Sequence, residues 1–557
     1  MAGALGWILL SFSLAQGAAD VKERPARLIP NTDINPYGAN FFLEREVEDW
    51  KREKTLQLAK EAGLGWVKQH FPWEEIEPVQ KGDFRTPATR QSSWLKFDRI
   101  VELCQKHGLQ IVARLDRPPD WTRQDNTYKE RPPDNFDDYG DFVYEFVKHY
   151  KGRIQYIQIW NEPNIFPEWG NRPVDPVGYT ELLKVAYRRA KEADPDVYIL
   201  SAPLAPTLGQ AHPEPGRWIS MNDLDFLEAM YQAGAKDYFD ILSVNAFGMD
   251  RPPDDPPDPQ VLNFSRVVLQ REIMEKYGDH NKPVWFNEYG WNASPATFPE
   301  EKLTWKRVDE TEQASFIVQG IDMARREWLW AGMFAIWYFR QVGNIPPARP
   351  DYYFRMVDVD FTPRLAYRAV QRATAAQEVA RPGIYQETNP ALAAKRGWHL
   401  TIAEQASAQA HLVSTTPGDR LTITFRGDNL DLIALRDQES GRLEATLDGH
   451  PVPGLIRSTD GKTYVNLYSP KVEWQARLPI VRRAGNGEHT LQLTVAGTRD
   501  AASLGYRVAI DGFVVTMGPT PNFPYLATVM LGLGMLTSSW LIYREWRQRP
   551  TEGEESS

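Results

Sequence analysis

The chain has 557 residues, with 64 basic and 74 acidic side chains and a net charge of −10. This length allows two to four domains, and the acidic balance argues against a nucleic-acid-binding protein, which needs a basic surface. A single cysteine excludes an internal disulfide, and nine scattered histidines without an H-E-x-x-H motif argue against a zinc site.

The N-terminal segment is apolar and then rich in small residues. Residues 5–15 are mostly apolar, small residues follow up to Ala19, and charged residues begin at Asp20. This order is typical of a secretory signal peptide, although the usual basic residues before the apolar run are missing. We therefore expect residues 1–19 to be a signal peptide and the protein to be exported.

Between residues 35 and 378, short apolar runs alternate with amphipathic helical stripes such as residues 139–150. Such near-continuous apolar runs are typical of parallel strands that are covered on both sides. The predicted strands are 38–42, 66–71, 110–115, 154–160, 198–202, 239–244, 284–287 and 333–339. Eight strands with intervening helices predict a (β/α)₈ TIM barrel. A doubly wound open sheet is the alternative, but no glycine-rich phosphate loop follows the first strand.

From residue 383 to residue 518 the pattern changes to short alternating runs separated by turn signals. The runs are 421–425, 430–435, 443–447, 490–495, 507–510 and 513–516, and the turn signals include Asp448-Gly449 and Asp511-Gly512. This pattern predicts an antiparallel, jelly-roll-like β-sandwich.

Residues 525–543 carry no charge over nineteen positions. A helix of this length spans about 28 Å, close to the thickness of the bilayer core. Arg544, Arg547 and Arg549 follow at once, whereas residues 508–524 contain no lysine or arginine. By the positive-inside rule we expect one C-terminal transmembrane helix, a cytoplasmic tail over 544–557 and an extracellular catalytic domain.

Two glutamates lie where predicted strands leave the barrel core. Strand 4 ends in Trp160-Asn161-Glu162-Pro163-Asn164, and strand 7 ends in Phe286-Asn287-Glu288-Tyr289-Gly290. Active sites of such barrels lie at the C-terminal ends of the strands, so the two carboxyl groups are expected to converge. Two carboxylates that face one bond are what glycoside hydrolysis requires. His70, Trp73 and Trp121, near the ends of strands 2 and 3, are further candidates for contacts with a sugar.

These motifs resemble those of the retaining clan A glycoside hydrolases, such as families 5 and 39. The strand 4 motif looks like their acid/base motif, and the strand 7 motif looks like their nucleophile motif. Residues 73–78 (W-E-E-I-E-P) and 118–121 (P-P-D-W) are similar to their segments after strands 2 and 3. The resemblance spans roughly residues 35–375.

The resemblance implies a role for several residues. Glu162 would be the general acid/base, Glu288 the nucleophile, Asn161 a partner of the 2-hydroxyl, and Trp337 the platform under the sugar. The implied reaction is a double displacement with net retention, which needs neither a metal nor an organic cofactor.

The chain also departs from the pattern of these families. Lys68 lies where strand 2 often offers an arginine, and Asn245-Ala246-Phe247 replaces a His-x-Tyr pattern at strand 6. Asn245 is therefore a candidate contact of its own, and Tyr289 and Tyr338 are candidates to replace the missing tyrosine.

The leading hypothesis is thus a membrane-anchored retaining β-glycosidase. The alternatives are a catalytically silent surface protein that binds carbohydrate and a transglycosylase that uses the same residues. The sugar, the linkage and the oligomeric state are left open.

Overall fold

The computed structural model describes residues 29–517 except 214–217, 344, 376–378, 388, 390, 395–396, 408–409 and 486, and it also describes residues 540, 541 and 544. The expected signal peptide lies outside these residues, as does the expected membrane helix apart from Trp540 and Leu541. Among the residues described, no helix is both long and apolar enough to cross a bilayer.

Among the described residues, the first part of the chain is a barrel of eight parallel strands surrounded by eight α-helices of ten or more residues. The strands are β1 (Tyr37–Phe41), β2 (Trp66–Pro72), β3 (Gln110–Asp116), β4 (Tyr156–Ile159), β5 (Tyr198–Leu200), β6 (Leu242–Phe247), β7 (Val284–Gly290) and β8 (Ala331–Ile336). The helices are α1 (Asp49–Glu61), α2 (Leu95–Lys106), α3 (Phe136–His149), α4 (Pro176–Ala193), α5 (Asp223–Gln232), α6 (Val267–Lys276), α7 (Glu310–Glu327) and α8 (Leu365–Ala375). A short helix (Trp73–Ile76) and a hairpin (Gln210–Ala211 with Trp218–Ser220) lie in the connecting segments.

The sheet runs in the order β5-β4-β3-β2-β1-β8-β7-β6. A single parallel bridge between Leu200 and Ile241 joins its two edges and closes the barrel. The predicted barrel is therefore confirmed, with strand ends that shift by a few residues. The largest shift is in β6, predicted at 239–244 and found at Leu242–Phe247. Phe239 is buried like a strand residue. However, the strand begins only after Asp240, whose carboxylate accepts a hydrogen bond from Ile199 N at 2.7 Å.

Inside the barrel, a layer of apolar side chains is followed by polar side chains. The polar side chains lie toward the C-terminal ends of the strands, which form the mouth of the barrel. At the opposite end, Trp66, Tyr156 and Trp285 form an aromatic cluster in which ring centroids lie 4.8–5.2 Å apart. Polar side chains lie above this cluster, including Asn40 and Lys68, which both hydrogen-bond to the backbone oxygen of Asn287. The mouth is therefore lined with polar side chains. Burying such side chains is costly unless they have a hydrogen-bond partner or take part in the function of the protein.

The second part of the chain consists of two antiparallel sheets. One has the strand order β11-β12-β19-β14-β17 with β9 beside β19, and the other runs β10-β13-β18-β15-β16. The strands are β9 (Gly383–Gln386), β10 (Leu392–Ala394), β11 (His399–Ile402), β12 (Ala410–Ser414), β13 (Arg420–Arg426), β14 (Asn429–Arg436), β15 (Arg442–Leu447), β16 (Thr463–Asn466), β17 (Glu473–Val481), β18 (Glu488–Val495) and β19 (Val508–Thr516). Two further strands have two residues each, His450–Pro451 and Ile456–Arg457. Leucines and valines of both sheets form one buried cluster, so the predicted sandwich is confirmed.

One predicted turn in this domain is wrong. Asp511-Gly512 lies within β19, where the pairing with β14 shifts register. A Cβ at residue 512 would lie 2.3 Å from the backbone oxygen of Tyr385 in β9. Glycine is therefore needed here for the close approach of two strands rather than for a turn.

Candidate active site

An extra residue in β7 places Glu288 at the mouth. Between Phe286 and Tyr289 the strand advances three residues, whereas β8 advances two, from Phe334 to Ile336. The pairing with β6 shifts at the same point. Asn287 and Glu288 consequently both face the interior, and such bulges are common beside active sites. The side chain of Tyr289 faces the helices, where its hydroxyl donates to the backbone oxygen of Ile317 at 2.7 Å.

Lys68 on β2 is the cation beside Glu288. Its ammonium nitrogen Nζ lies 3.4 Å from Glu288 Oε1 and donates to the backbone oxygen of Asn287 at 3.2 Å. Both side chains are buried, with 2% and 8% of their surface exposed. Burial lowers the pKa of Lys68 to about 8, although the Glu288 carboxylate acts in the opposite direction. The pair stabilises a negative charge on Glu288 as long as Lys68 is protonated.

Glu162 lies just past β4 in an unusual backbone conformation. Trp160 and Glu162 have positive φ angles of 71° and 39°. Residues other than glycine adopt such angles rarely, and strained backbone of this kind clusters at active sites. The backbone nitrogen of Glu162 donates to Pro203 O at 3.0 Å, and Asn245 Nδ2 on β6 donates to Glu162 Oε1 at 2.6 Å. Asn245 therefore contacts the acid/base candidate directly.

The environment of Glu162 favours its protonated form. Burial raises the pKa of Glu162 to about 8, and the negative charges of Glu288 and Glu168 add to this effect. Asn245 and Arg114 act against it but do not cancel it. The mouth thus holds one carboxyl group that keeps its proton at neutral pH and a second one, Glu288, beside a lysine. Different surroundings of two carboxyl groups are the condition for separate acid and base roles.

Several buried polar atoms at the mouth have no hydrogen-bond partner among the residues described. They are Asn161 Oδ1, Asn245 Oδ1, Asn287 Oδ1 and Trp337 Nε1. Unpaired buried polar atoms are rare, and each needs an explanation. Their position around the two glutamates is what a site for a ligand with many hydroxyl groups would show. Trp337 follows β8 and packs edge-on against Phe42, with ring centroids 5.7 Å apart.

A charged network lines the β2–β3 side of the mouth. Arg114 Nε donates to Asp116 Oδ2 at 2.6 Å, and His70 Nε2 makes a short contact with the other oxygen of Asp116. Burial would raise the pKa of Asp116, but Arg114 and His70 outweigh it and hold that pKa well below its usual range. His70, expected from the sequence at this site, is thereby held in place by an ionised carboxylate.

Two predicted contact residues have no surface to offer to a ligand. Trp73 is fully buried, stacks on Phe142 and donates to Glu77 Oε2 at 2.6 Å. Tyr289 is also fully buried and faces away from the mouth, so it does not replace the missing tyrosine of strand 6. Trp121 is partly exposed and donates to the backbone oxygen of Glu77 at 2.9 Å.

Four polar residues at the site were assigned no role from the sequence: Asn40, Gln158, Asn287 and Glu168. Gln158 and Asn287 lie across the barrel from each other and are joined by a hydrogen bond of 2.8 Å. A polar residue within an otherwise apolar strand was the available signal for Asn40, Gln158 and Asn287. Glu168 lies on a connecting segment and carried no comparable signal.

No protein-family profile and no curated protein sequence matches the chain. Similar solved structures include a family 39 glycoside hydrolase from Bacteroides cellulosilyticus, with 18% identity, a TM-score of 0.45 and coverage of 84% of this chain and 81% of that one. A monomeric beta-xylosidase from Caulobacter crescentus has 13% identity, a TM-score of 0.45 and coverage of 84% and 98%. The GH39 enzyme from Xanthomonas axonopodis has 13% identity, a TM-score of 0.46 and coverage of 86% and 99%. Similarity this low leaves the chemistry to be inferred from the site itself.

Proposed function

We propose that this protein hydrolyses O-glycosidic bonds of β-linked carbohydrates, with Glu162 as general acid/base. The observation that carries the proposal is the pair of glutamates at the ends of β4 and β7, which have opposite electrostatic surroundings. Glu162 is held in its protonated form, and Glu288 contacts Lys68. A protonated carboxyl group can donate to the leaving oxygen while an ionised one attacks or activates water.

We further propose that the reaction proceeds with retention. In the first step Glu288 attacks the anomeric carbon, the bond to the leaving oxygen breaks, and Glu162 gives its proton to that oxygen. Water then enters, Glu162 takes one of its protons, and the ester at Glu288 is cleaved. Lys68 supports the nucleophilic role, because its ammonium nitrogen lies 3.4 Å from Glu288 Oε1 and attracts negative charge on that side chain.

The test is a screen of 4-nitrophenyl β-glycosides, followed by Glu162→Gln and Glu288→Ala on the best substrate. Each variant is expected to lower kcat/KM by about 10²–10⁴-fold or more. Azide should restore turnover of Glu288→Ala and yield the α-glycosyl azide, since azide attacks the face that Glu288 leaves free. Exposed Glu181→Gln on α4 is the charge-matched control and should retain full activity.

Undiminished turnover in either glutamate variant would contradict the proposal. ¹H NMR of the first-formed product tests retention, because an α-configured product from a β-glycoside would mean inversion. Binding to a glycan array without turnover of any substrate would instead favour a silent carbohydrate-binding protein. Coupled products at high acceptor concentration would favour transglycosylation.

We also propose that the protein is exported and held at the outer face of a membrane. The uncharged stretch 525–543 and the arginines that follow it support this location. Fractionation of cells that express the full chain or a chain ending at residue 518 tests it. The full chain is expected in the membrane fraction, where external protease reaches the barrel, and the shorter chain is expected in the medium. Recovery of both chains in the cytosol would contradict the proposal.

A further inference from the structure

Glu168 adds a further carboxyl group to the mouth, and this group takes no part in the proposed reaction. Glu168 lies six residues after Glu162, in the segment between β4 and α4. Its backbone oxygen accepts a hydrogen bond of 2.9 Å from Trp160 Nε1, and the indole of Trp160 packs edge-on against Trp169 and Tyr139. This contact ties the backbone of Glu168 to the residue two places before the acid/base.

The side chain of Glu168 reaches the neighbour of the acid/base. Asn161 Nδ2 donates to Glu168 Oε2 at 3.4 Å, whereas Asn161 Oδ1 is buried and unpartnered among the described part of the chain. Glu168 thus fixes which end of the Asn161 amide is turned toward it. The oxygen of the amide is left to accept a hydrogen bond from a ligand.

The negative charge of Glu168 has no ion pair of its own within the described residues. Arg114 is the charged group that acts most strongly on Glu168, but Asp116 already binds that guanidinium at 2.6 Å. Asp116, Glu130 and Glu162 also face Glu168, and all three are acidic side chains. The charged groups that act electrostatically on Glu162 are Glu288, Glu168, Arg114 and Lys68.

We propose that Glu168 is a positioning residue that orients the Asn161 amide and repels a negative charge on Glu162. This inference rests on the acid/base role proposed for Glu162. Burial raises the pKa of Glu168 to about 7, against the effect of Arg114, so its charge is present over the range in which Glu162 loses its proton. Glu288 loses its charge when it becomes an ester, whereas Glu168 forms no bond in either step. Glu168 therefore sets how firmly Glu162 holds a proton in the intermediate.

The test compares Glu168→Gln with Glu168→Asp, using exposed Glu181→Gln as the charge-matched control. Glu168→Gln is expected to shift the alkaline limb of kcat/KM to lower pH by about one unit, because a nearby like charge is removed. Glu168→Asp and Glu181→Gln should keep the wild-type limb. A uniform loss of activity with an unshifted limb in Glu168→Gln would mean a merely structural role and would overturn the proposal.

A second measurement needs no turnover. Difference infrared titration follows the carbonyl band of protonated Glu162, which is identified by its loss in Glu162→Gln. The midpoint should be lower in Glu168→Gln than in the wild-type protein, and an equal midpoint would overturn the inference. Should the wild-type protein hydrolyse no glycoside, the proposed function fails on its own, and this titration still decides the effect of Glu168. Circular dichroism establishes that each variant is folded.

Discussion

Lys68 shows how a single side chain links the chemistry of the site to pH. It is buried, it contacts both Glu288 and the backbone of Asn287, and its pKa is lowered to about 8. A guanidinium in the same place would remain charged at every relevant pH, because arginine is not deprotonated in proteins. The ammonium of Lys68 is lost as the pH rises through about 8, and Glu288 then loses its nearest cation.

We expect Lys68→Met to lower kcat/KM by about 10²–10³-fold, the usual cost of removing one charge-stabilising group. Lys68→Arg should retain part of the activity. Its kcat/KM should not decline above pH 8, because that decline is caused by the loss of the proton from Lys68. The measurement uses 2,4-dinitrophenyl glycosides in the Glu162→Gln background, because this leaving group needs no proton and the titration of Glu162 is absent. An alkaline decline that persists unchanged in Lys68→Arg would contradict this role.

At the scale of secondary structure, apolar runs were sufficient to predict every barrel strand and the order of strands and helices. They were not sufficient for the bulge in β7, since the predicted strand ends at Asn287 and the pattern does not show that Asn287 and Glu288 both face the interior. The apolar runs also did not reveal that Trp73 faces the helices. An aromatic residue just past a strand end is compatible both with a buried core position and with a contact to a sugar. The two glutamates were predictable because a carboxyl group at the end of an apolar strand has few structural explanations.

Asn40 on β1 holds the bulge in place. Its Nδ2 donates to Asn287 O at 2.9 Å and to Ala335 O at 3.2 Å, and so it bridges β7 and β8. We expect Asn40→Ala to lower the free energy of unfolding of the barrel by about 1–3 kcal/mol, because two buried carbonyl groups lose a donor. It should also lower kcat/KM, because Glu288 is displaced.

Asn135→Ala is the matched control for Asn40→Ala. Asn135 caps the N-terminus of α3 through a hydrogen bond from Asp137 N, and its loss should cost about 1 kcal/mol. Urea unfolding and kcat/KM of both variants separate stability from catalysis. Equal kcat/KM values for Asn40→Ala and the wild-type protein would show that the bulge needs no such support.

At the scale of the whole molecule, buried carboxyl groups lie where the sandwich meets the closed end of the barrel. Asp33, which precedes β1, accepts hydrogen bonds of 2.9 Å from Gln386 N and Asn389 Nδ2 of the sandwich. Glu387 is 3% exposed, and its Oε2 has no partner among the residues that the structure covers. Burial raises the pKa of Glu387 well above its usual value, and Asp511 and Asp33 add to this effect.

The raised pKa of Glu387 predicts that the free energy of unfolding falls as the pH rises. A raised pKa means that the folded protein holds a proton on Glu387 that the unfolded chain releases. The stabilisation is therefore complete below the unfolded pKa and is lost as the pH rises toward the folded pKa. Glu387→Gln should raise Tm at pH 8 by about 2–4 °C and have little effect at pH 4. Exposed Glu404→Gln is the control, and an equal Tm for Glu387→Gln and the wild-type protein at pH 8 would contradict the prediction.

The single bridge that closes the barrel has a consequence for stereochemistry. In the sheet order β5-β4-β3-β2-β1-β8-β7-β6, the strand of Glu162 is second from one edge and the strand of Glu288 is second from the other. The path from β4 to β7 therefore takes three strand steps across the closing seam and five along the continuous sheet. The seam at Leu200 and Ile241 therefore lies on the shorter of the two strand paths that set the gap between the two carboxyl groups. Since that gap separates retention from inversion, the pairing at this seam bears on the geometry that the anomeric outcome requires.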